Sequence, residues 1–131
     1  MKRAIPFAAL LFVFLVGTVP AKDSDGKEKP LTFERDIRKI LKKHCFQCHG
    51  EEAEPEGGLD LRLRRLIVKG GESGPALVAG NPEESRIYSR ILEGEMPPDD
   101  KKVSRAELAV IKRWITTVAK TARPEPESIR P

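Results

Sequence analysis

Five consecutive residues carry the most specific chemistry in this sequence: Cys45-Phe46-Gln47-Cys48-His49. Two thiols three positions apart, followed at once by an imidazole, have the spacing at which cysteines add across the two vinyl groups of a haem. The histidine is then left to ligate the iron from the proximal side. The same thiols can also serve a redox dithiol, a disulfide or zinc. A thioredoxin-like dithiol belongs near a βαβ pattern, and none surrounds the motif. A closed zinc site would need Cys45, Cys48, His49 and either a carboxylate or His44, an unusual donor set. The spacing therefore points to one haem c, attached through Cys45 and Cys48 and ligated by His49.

An electron-transfer haem takes a sixth ligand, and thioether sulfur raises its potential by favouring ferrous iron. Beyond the initiator there is one methionine, Met96, in Glu95-Met96-Pro97-Pro98. The alternative is a gap-filling core methionine, for which a polar, proline-bound loop is a poor setting. His44 is the only other histidine. It adjoins Cys45 and is expected at a helix end, near solvent or a haem propionate, rather than across the iron. A proximal histidine is steered by a hydrogen bond from its other ring nitrogen. Gly74-Pro75-Ala76-Leu77 could supply that bond through the Pro75 carbonyl, with Leu77 packing on the haem face. An ordinary turn before an apolar segment explains the same residues.

Three helices must position these groups. The first starts at Thr32, a good N-cap. It carries Glu34 and Asp36 in its first turn and Lys39, Lys42 and Lys43 in its last, which suits the helix dipole. Phe33, Ile37, Ile40, Leu41 and His44 share a face and lead directly into the motif. The second is announced by Asn81 as N-cap, Pro82 as first helical residue and Glu84 reaching back. Ile87, Tyr88, Ile91 and Leu92 form its stripe, and Gly94 ends it. The third starts at Ser104 with Glu107 three residues on, a capping box, and Leu108, Ile111, Trp114, Ile115 and Val118 share a face. Between the first two, Leu59-Leu61-Leu63 alternates as a short strand would, among Gly57-Gly58, Gly70-Gly71 and Ser73-Gly74-Pro75. The expected fold class is all-α: a small domain with Gly-rich loops around a single haem.

Met1-Lys2-Arg3, the apolar run Ile5 to Val16 and Thr18-Val19-Pro20-Ala21 have the three-part layout of a secretory signal peptide. Residues 1–21 are expected to be cleaved after Ala21 rather than kept as an anchor, because the run is shorter than the ~20 residues of a spanning helix. The mature protein would then be periplasmic or otherwise exported, with no membrane span. Residues 22–30 read as a disordered linker, 31–122 as the folded domain and 123–131 as a flexible tail. The 131 residues carry a net charge of +4, and removing Lys2 and Arg3 with the leader leaves +2. The charges are interspersed, which argues against nucleic acid as a partner. Residues 22–131 hold 36 apolar residues in 110, about 33%, with Phe33, Phe46, Tyr88 and Trp114 as their aromatics. A core that thin needs a cofactor, metal or partner.

The pattern of a capped helix leading to CxxCH, a GPxL segment, a Met-Pro-Pro loop and a C-terminal helix with Trp resembles a class I cytochrome c. More narrowly, the chain resembles the planctomycete-type cytochrome c domain. Phe33-Glu34-Arg35-Asp36-Ile37, Cys45-Phe46-Gln47-Cys48-His49-Gly50 and Gly57-Gly58-Leu59 carry that resemblance. So do Lys69-Gly70-Gly71-Glu72-Ser73-Gly74-Pro75-Ala76, Gly80-Asn81-Pro82 and Met96-Pro97-Pro98. It spans about Leu31 to Val118. The resemblance implies haem attachment at Cys45 and Cys48, iron ligation by His49 and Met96, and orientation of His49 by Pro75. It also implies that the first and third helices cross near Phe33 and Trp114.

The function expected from these residues is single-electron transfer between redox protein partners, as an electron carrier or electron-transfer subunit, and no catalytic constellation of side chains is visible. Two alternatives stand beside it. One is a haem enzyme or gas sensor with a labile sixth ligand. The other is a haem-free interaction module in which Cys45 and Cys48 form a disulfide or bind zinc. A role as a docking domain for a larger enzyme also stays open.

Overall fold

The computed structural model describes residues 29–129. The signal segment 1–21 and residues 22–28 of the expected linker lie outside them. Among the described residues the fold is all-α: α1 (Arg38–His44), α2 (Arg64–Lys69), α3 (Arg86–Leu92) and α4 (Arg105–Thr116), with no strand. No helix among them is long and apolar enough to cross a membrane.

A π-helical turn, Phe33–Ile37, leads into α1. Thr32 makes no side-chain cap, and its hydroxyl is buried without a partner. Asp36 replaces it: the Asp36 carboxylate accepts the Thr32 N–H at 2.8 Å, while the Asp36 N–H donates to the Thr32 carbonyl at 3.0 Å. The wide first turn brings a residue four positions on over the chain start, so the cap comes from inside the helix. Phe33 and Ile37 from this turn, with Ile40 and Leu41 from α1, are buried against Ile111, Trp114 and Ile115 of α4. The Phe33 and Trp114 rings meet at 5.9 Å and 41°, at the helix crossing that the resemblance implies.

α4 begins as its sequence indicates. The Ser104 side chain accepts the Glu107 N–H at 3.2 Å, and Glu107 accepts the Ser104 N–H at 2.9 Å. After α4 the chain reverses through Val118 and Ala119, both in the left-handed region at φ 60° and 50°, an uncommon conformation for a β-branched residue. The reversal delivers the Lys120 carbonyl, which accepts both the Phe33 N–H and the Trp114 Nε1–H.

α3 starts later than expected. Residues 82–85 close a turn through the Ser85 N–H and the Pro82 carbonyl, and buried Ser85 takes the N-cap position. Its hydroxyl binds the Asn81 and Val78 carbonyls and accepts the Val78 N–H. That local bonding competes with helix and delays its start. Gly94, at φ +75°, ends the helix as anticipated.

The alternation at Leu59-Leu61-Leu63 does not form a strand. Asp60 accepts the Arg62 N–H at 2.9 Å, a local side-chain turn that ends the extended run. Leu61 alone of the three is buried. α2 follows, unforeseen, and Gly70-Gly71 then let two backbones nearly touch. A Cβ on Gly71 would lie 2.2 Å from the Gly57 oxygen.

The segment expected to be a loose tail is tied down within its described part. The Glu125 carboxylate accepts the Arg64 and Arg65 N–H groups at the start of α2, at 2.5 and 2.9 Å. The Arg65 guanidinium donates to the Pro126 and Glu127 carbonyls. A carboxylate at a helix N-terminus satisfies orphan donors and meets the positive end of the dipole. Glu125→Ala should therefore cost about 1–2 kcal/mol, read as a thermal midpoint lower by roughly 5–10 °C. Glu125→Gln should lose less, because the amide oxygen still accepts.

Candidate cofactor site

The CxxCH segment is wound on from α1. The Cys45 N–H donates to the Leu41 carbonyl at 2.7 Å, and the His49 N–H to the Cys45 carbonyl at 2.9 Å. One helical turn thus carries both thiols. Residues three apart on such a turn share a face, which is what a two-point covalent attachment requires. The turn then breaks: His49 has φ −113° and ψ 41°, and Gly50 leaves the helix altogether.

Gly50 is buried beneath the stem of Arg62, whose Cγ would lie 2.7 Å from a Cβ at that position. Arg62 is held by Asp60 through Nε and Nη2 at 2.7–3.2 Å. Between them the Leu61 N–H donates to the His49 carbonyl at 2.9 Å. The imidazole is fixed from the same strip: His49 Nδ1 lies 3.1 Å from the Leu59 carbonyl. A carbonyl only accepts, so Nδ1 carries a proton, and in the neutral ring Nε2 keeps its lone pair. Nε2 has no partner among the described residues. A free imidazole nitrogen of fixed tautomer beside two free thiols is the donor set that haem c needs.

Burial pushes the Cys45 thiol up to about 12, with the Cys48 charge adding to the effect. A dithiol active in exchange needs a depressed value, so a redox dithiol is disfavoured. No group of three or more His, Cys, Asp or Glu side chains that could hold a metal comes together among the described residues.

The remaining expected residues fall into different settings. Leu77 is buried in the core with Leu61 and Ile67. Pro75 is exposed, and the bond expected from its carbonyl is made by Leu59. That substitution has a topological reason: the Gly57-Gly58 turn folds the chain back on the motif ten residues after His49, well before Pro75 is reached. Met96 lies on a separate segment after α3, its N–H bonded to the Arg90 carbonyl at 3.1 Å and its residue 39% exposed.

His44 is not near solvent. Its side chain is 4% exposed. Nδ1 lies 2.9 Å from the Lys101 carbonyl and Nε2 3.2 Å from Glu107 Oε2. Glu107 also pairs with Lys43 at 3.0 Å. The Ser104 N–H, aided by Lys43, the Ser104 side chain and His44, holds the Glu107 carboxyl down at about 2 against partial burial, from an ordinary 4.5. The carboxylate therefore adds stability that is complete above about pH 4.5 and is lost as pH falls toward about 2. With solvent screening, that amounts to on the order of 1–2 kcal/mol. The difference in melting temperature between wild type and Glu107→Gln should be largest above pH 5 and shrink steadily below it.

An all-α domain that carries two free thiols and a histidine on one turn has the donor set that a c-type cytochrome uses. Residues 45–100 match the family model described as Planctomycete cytochrome C, and this stretch is similar to a planctomycete-type cytochrome c domain. The match runs from Cys45 to Asp100, leaving the first helix and α4 outside it. No curated protein and no solved structure matches the chain.

Proposed function

We propose that the chain is an exported, periplasmic monohaem cytochrome that passes single electrons between redox proteins. Cys45 and Cys48 attach the haem, and His49 and Met96 ligate its iron. The observation that carries this reading is the His49 Nδ1 to Leu59 contact at 3.1 Å, which presents Nε2 as a ligand. When bound, the haem supplies a one-electron ferric/ferrous couple. The protein's part is to hold it, orient His49, exclude water with Leu61, Ile67 and Leu77, and tune the potential through its axial groups. Leu77 and the Gly74-Pro75 turn serve as walls, and Pro75 is no longer needed to steer His49.

The test is a visible spectrum of protein exported through its own leader in a host with haem-attachment machinery. A sharp reduced α band that survives acid-acetone extraction is expected. A far-red sulfur-to-iron band should appear in the oxidised form and vanish in Met96→Ala. A colourless protein would refute the reading. The exposure of Met96, 39%, favours one second reading, a gas sensor or haem enzyme with a labile sixth position. Ready carbon monoxide binding by the reduced wild type would select it.

A further inference from the structure

We propose that Lys102 and His44 are positioning residues for Met96: Lys102 clasps the loop around it, and His44 fastens that loop to the helix bearing Cys45. This rests on Met96 being the sixth ligand. Met96 is among the exposed large apolar side chains, so core packing does not set its place; the backbone of its loop does. That backbone is tied at three points. At its start, the Glu95 and Met96 N–H groups both donate to the Arg90 carbonyl, at 3.0 and 3.1 Å. Across its middle, Lys102 Nζ donates to the Gly94 carbonyl at 3.0 Å and to the Pro97 carbonyl. These two carbonyls flank Met96 on either side, and one ammonium with three donors can hold both.

At its end, the Lys101 carbonyl meets His44 Nδ1 at 2.9 Å, while His44 Nε2 meets Glu107. The Lys101 carbonyl only accepts, so the loop contact uses the Nδ1 N–H. The ring thereby links the loop, the α4 cap and the residue before Cys45. A haem attached through Cys45 is fixed relative to that same helix end. The two latches thus set the loop's position relative to the attachment point, which a ligand on an unpacked loop needs.

The experiment uses holoprotein: wild type, Lys102→Met, Lys102→Arg, His44→Asn and His44→Gln. The readouts are the sulfur-to-iron band, carbon monoxide affinity of the reduced form, and covalent haem content. Lys102→Met keeps the stem and removes the donors. It should lose at least half of the band and bind carbon monoxide about tenfold more tightly, as the ligand-free fraction rises about tenfold. Lys102→Arg should restore the band. His44→Asn places an amide N–H where Nδ1 stood and should keep the band, whereas His44→Gln reaches toward Glu107 and should lose it. If Lys102→Met yields no holoprotein, the His44 pair decides alone. A wild-type band retained in every variant, with carbon monoxide affinity within about twofold, overturns the proposal while leaving Met96 as ligand. A wild type lacking the band overturns the ligand assignment, and this proposal falls with it.

Discussion

Replacing both thiols, Cys45→Ala with Cys48→Ala, is expected to yield a protein that loses all haem on acid-acetone extraction and melts without a cooperative transition. The substitutions themselves remove little. Cys48 is exposed and Cys45 half-buried, and neither is bonded to the other. Truncating one partly buried sulfur costs on the order of 1 kcal/mol. Against a domain stability of about 5–15 kcal/mol, that loss alone would leave a cooperative fold. The proposed haem would contribute far more. Residues 22–131 are only about 33% apolar, a content too low to offset chain entropy easily in a domain this small. Circular dichroism melts of the double variant and of holoprotein, at matched concentration, separate the two cases. A sharp haem-free transition near the holoprotein midpoint would show that the helices are self-sufficient and that the cofactor is a guest rather than part of the core.

The parts of the fold that were legible in the sequence are those whose signals are local. Ser104 and Glu107 specify the start of α4 because both members of a capping box lie within four residues. The stripe at Ile111, Trp114 and Ile115 specifies its buried face by periodicity alone. Gly94 marks a stop because left-handed backbone suits glycine. The misread parts depend on competing contacts that local pattern does not carry. Thr32 has the right identity for a cap, but Asp36 displaces it. Asn81-Pro82 has the right order for a helix start, but the Ser85 hydroxyl holds residues 78–85 in a turn. The tail looks unstructured because its three prolines exclude helix. Its anchor, Glu125 on α2, spans 61 residues and depends on a helix the alternation at Leu59-Leu61-Leu63 had obscured.

The site divides in the same way. Cys45, Cys48 and His49 stand out in the sequence because the chemistry proposed for them is set by spacing within one turn. The orienting group does not, because a backbone carbonyl has no residue signature: any amino acid could stand at Leu59 and make the bond. The usable clue was Gly57-Gly58, a flexible pair placed to fold the next residues back over the motif. Gly50 and the Asp60–Arg62 pair form the support behind His49 and were likewise missed, since an ion pair two residues apart looks like ordinary surface charge. The sequence points His44 toward solvent or a haem propionate because a lone helix-end histidine usually stands in such a place. Two acceptors from distant segments, Lys101 and Glu107, make burial tolerable by satisfying both ring nitrogens.

Trp114→Ala should be the most damaging single truncation in the helical core, costing about 3–5 kcal/mol. Trp114 is fully buried, stacks at a tilt on Phe33, and donates through Nε1 to the Lys120 carbonyl at 2.9 Å. Its removal opens a cavity between α4 and the turn at Phe33–Ile37. It also takes one of the two donors from a carbonyl that anchors the reversed chain after Ala119. Trp114→Phe separates these contributions: it keeps most of the ring volume and loses the N–H, so it should cost only about 1–2 kcal/mol. Denaturant melts of the two variants as holoprotein would read the difference directly. If haem is attached at Cys45 and Cys48 as proposed, it would still hold one end of α1, so Trp114→Ala should retain its reduced α band while its melting midpoint falls by roughly 15 °C or more. Equal losses for the two variants would mean that the Lys120 hydrogen bond, rather than the ring, carries the junction. A small loss for both would mean that the helices are held chiefly through the cofactor, and that the crossing of Phe33 and Trp114 is a consequence of haem attachment rather than a support for it.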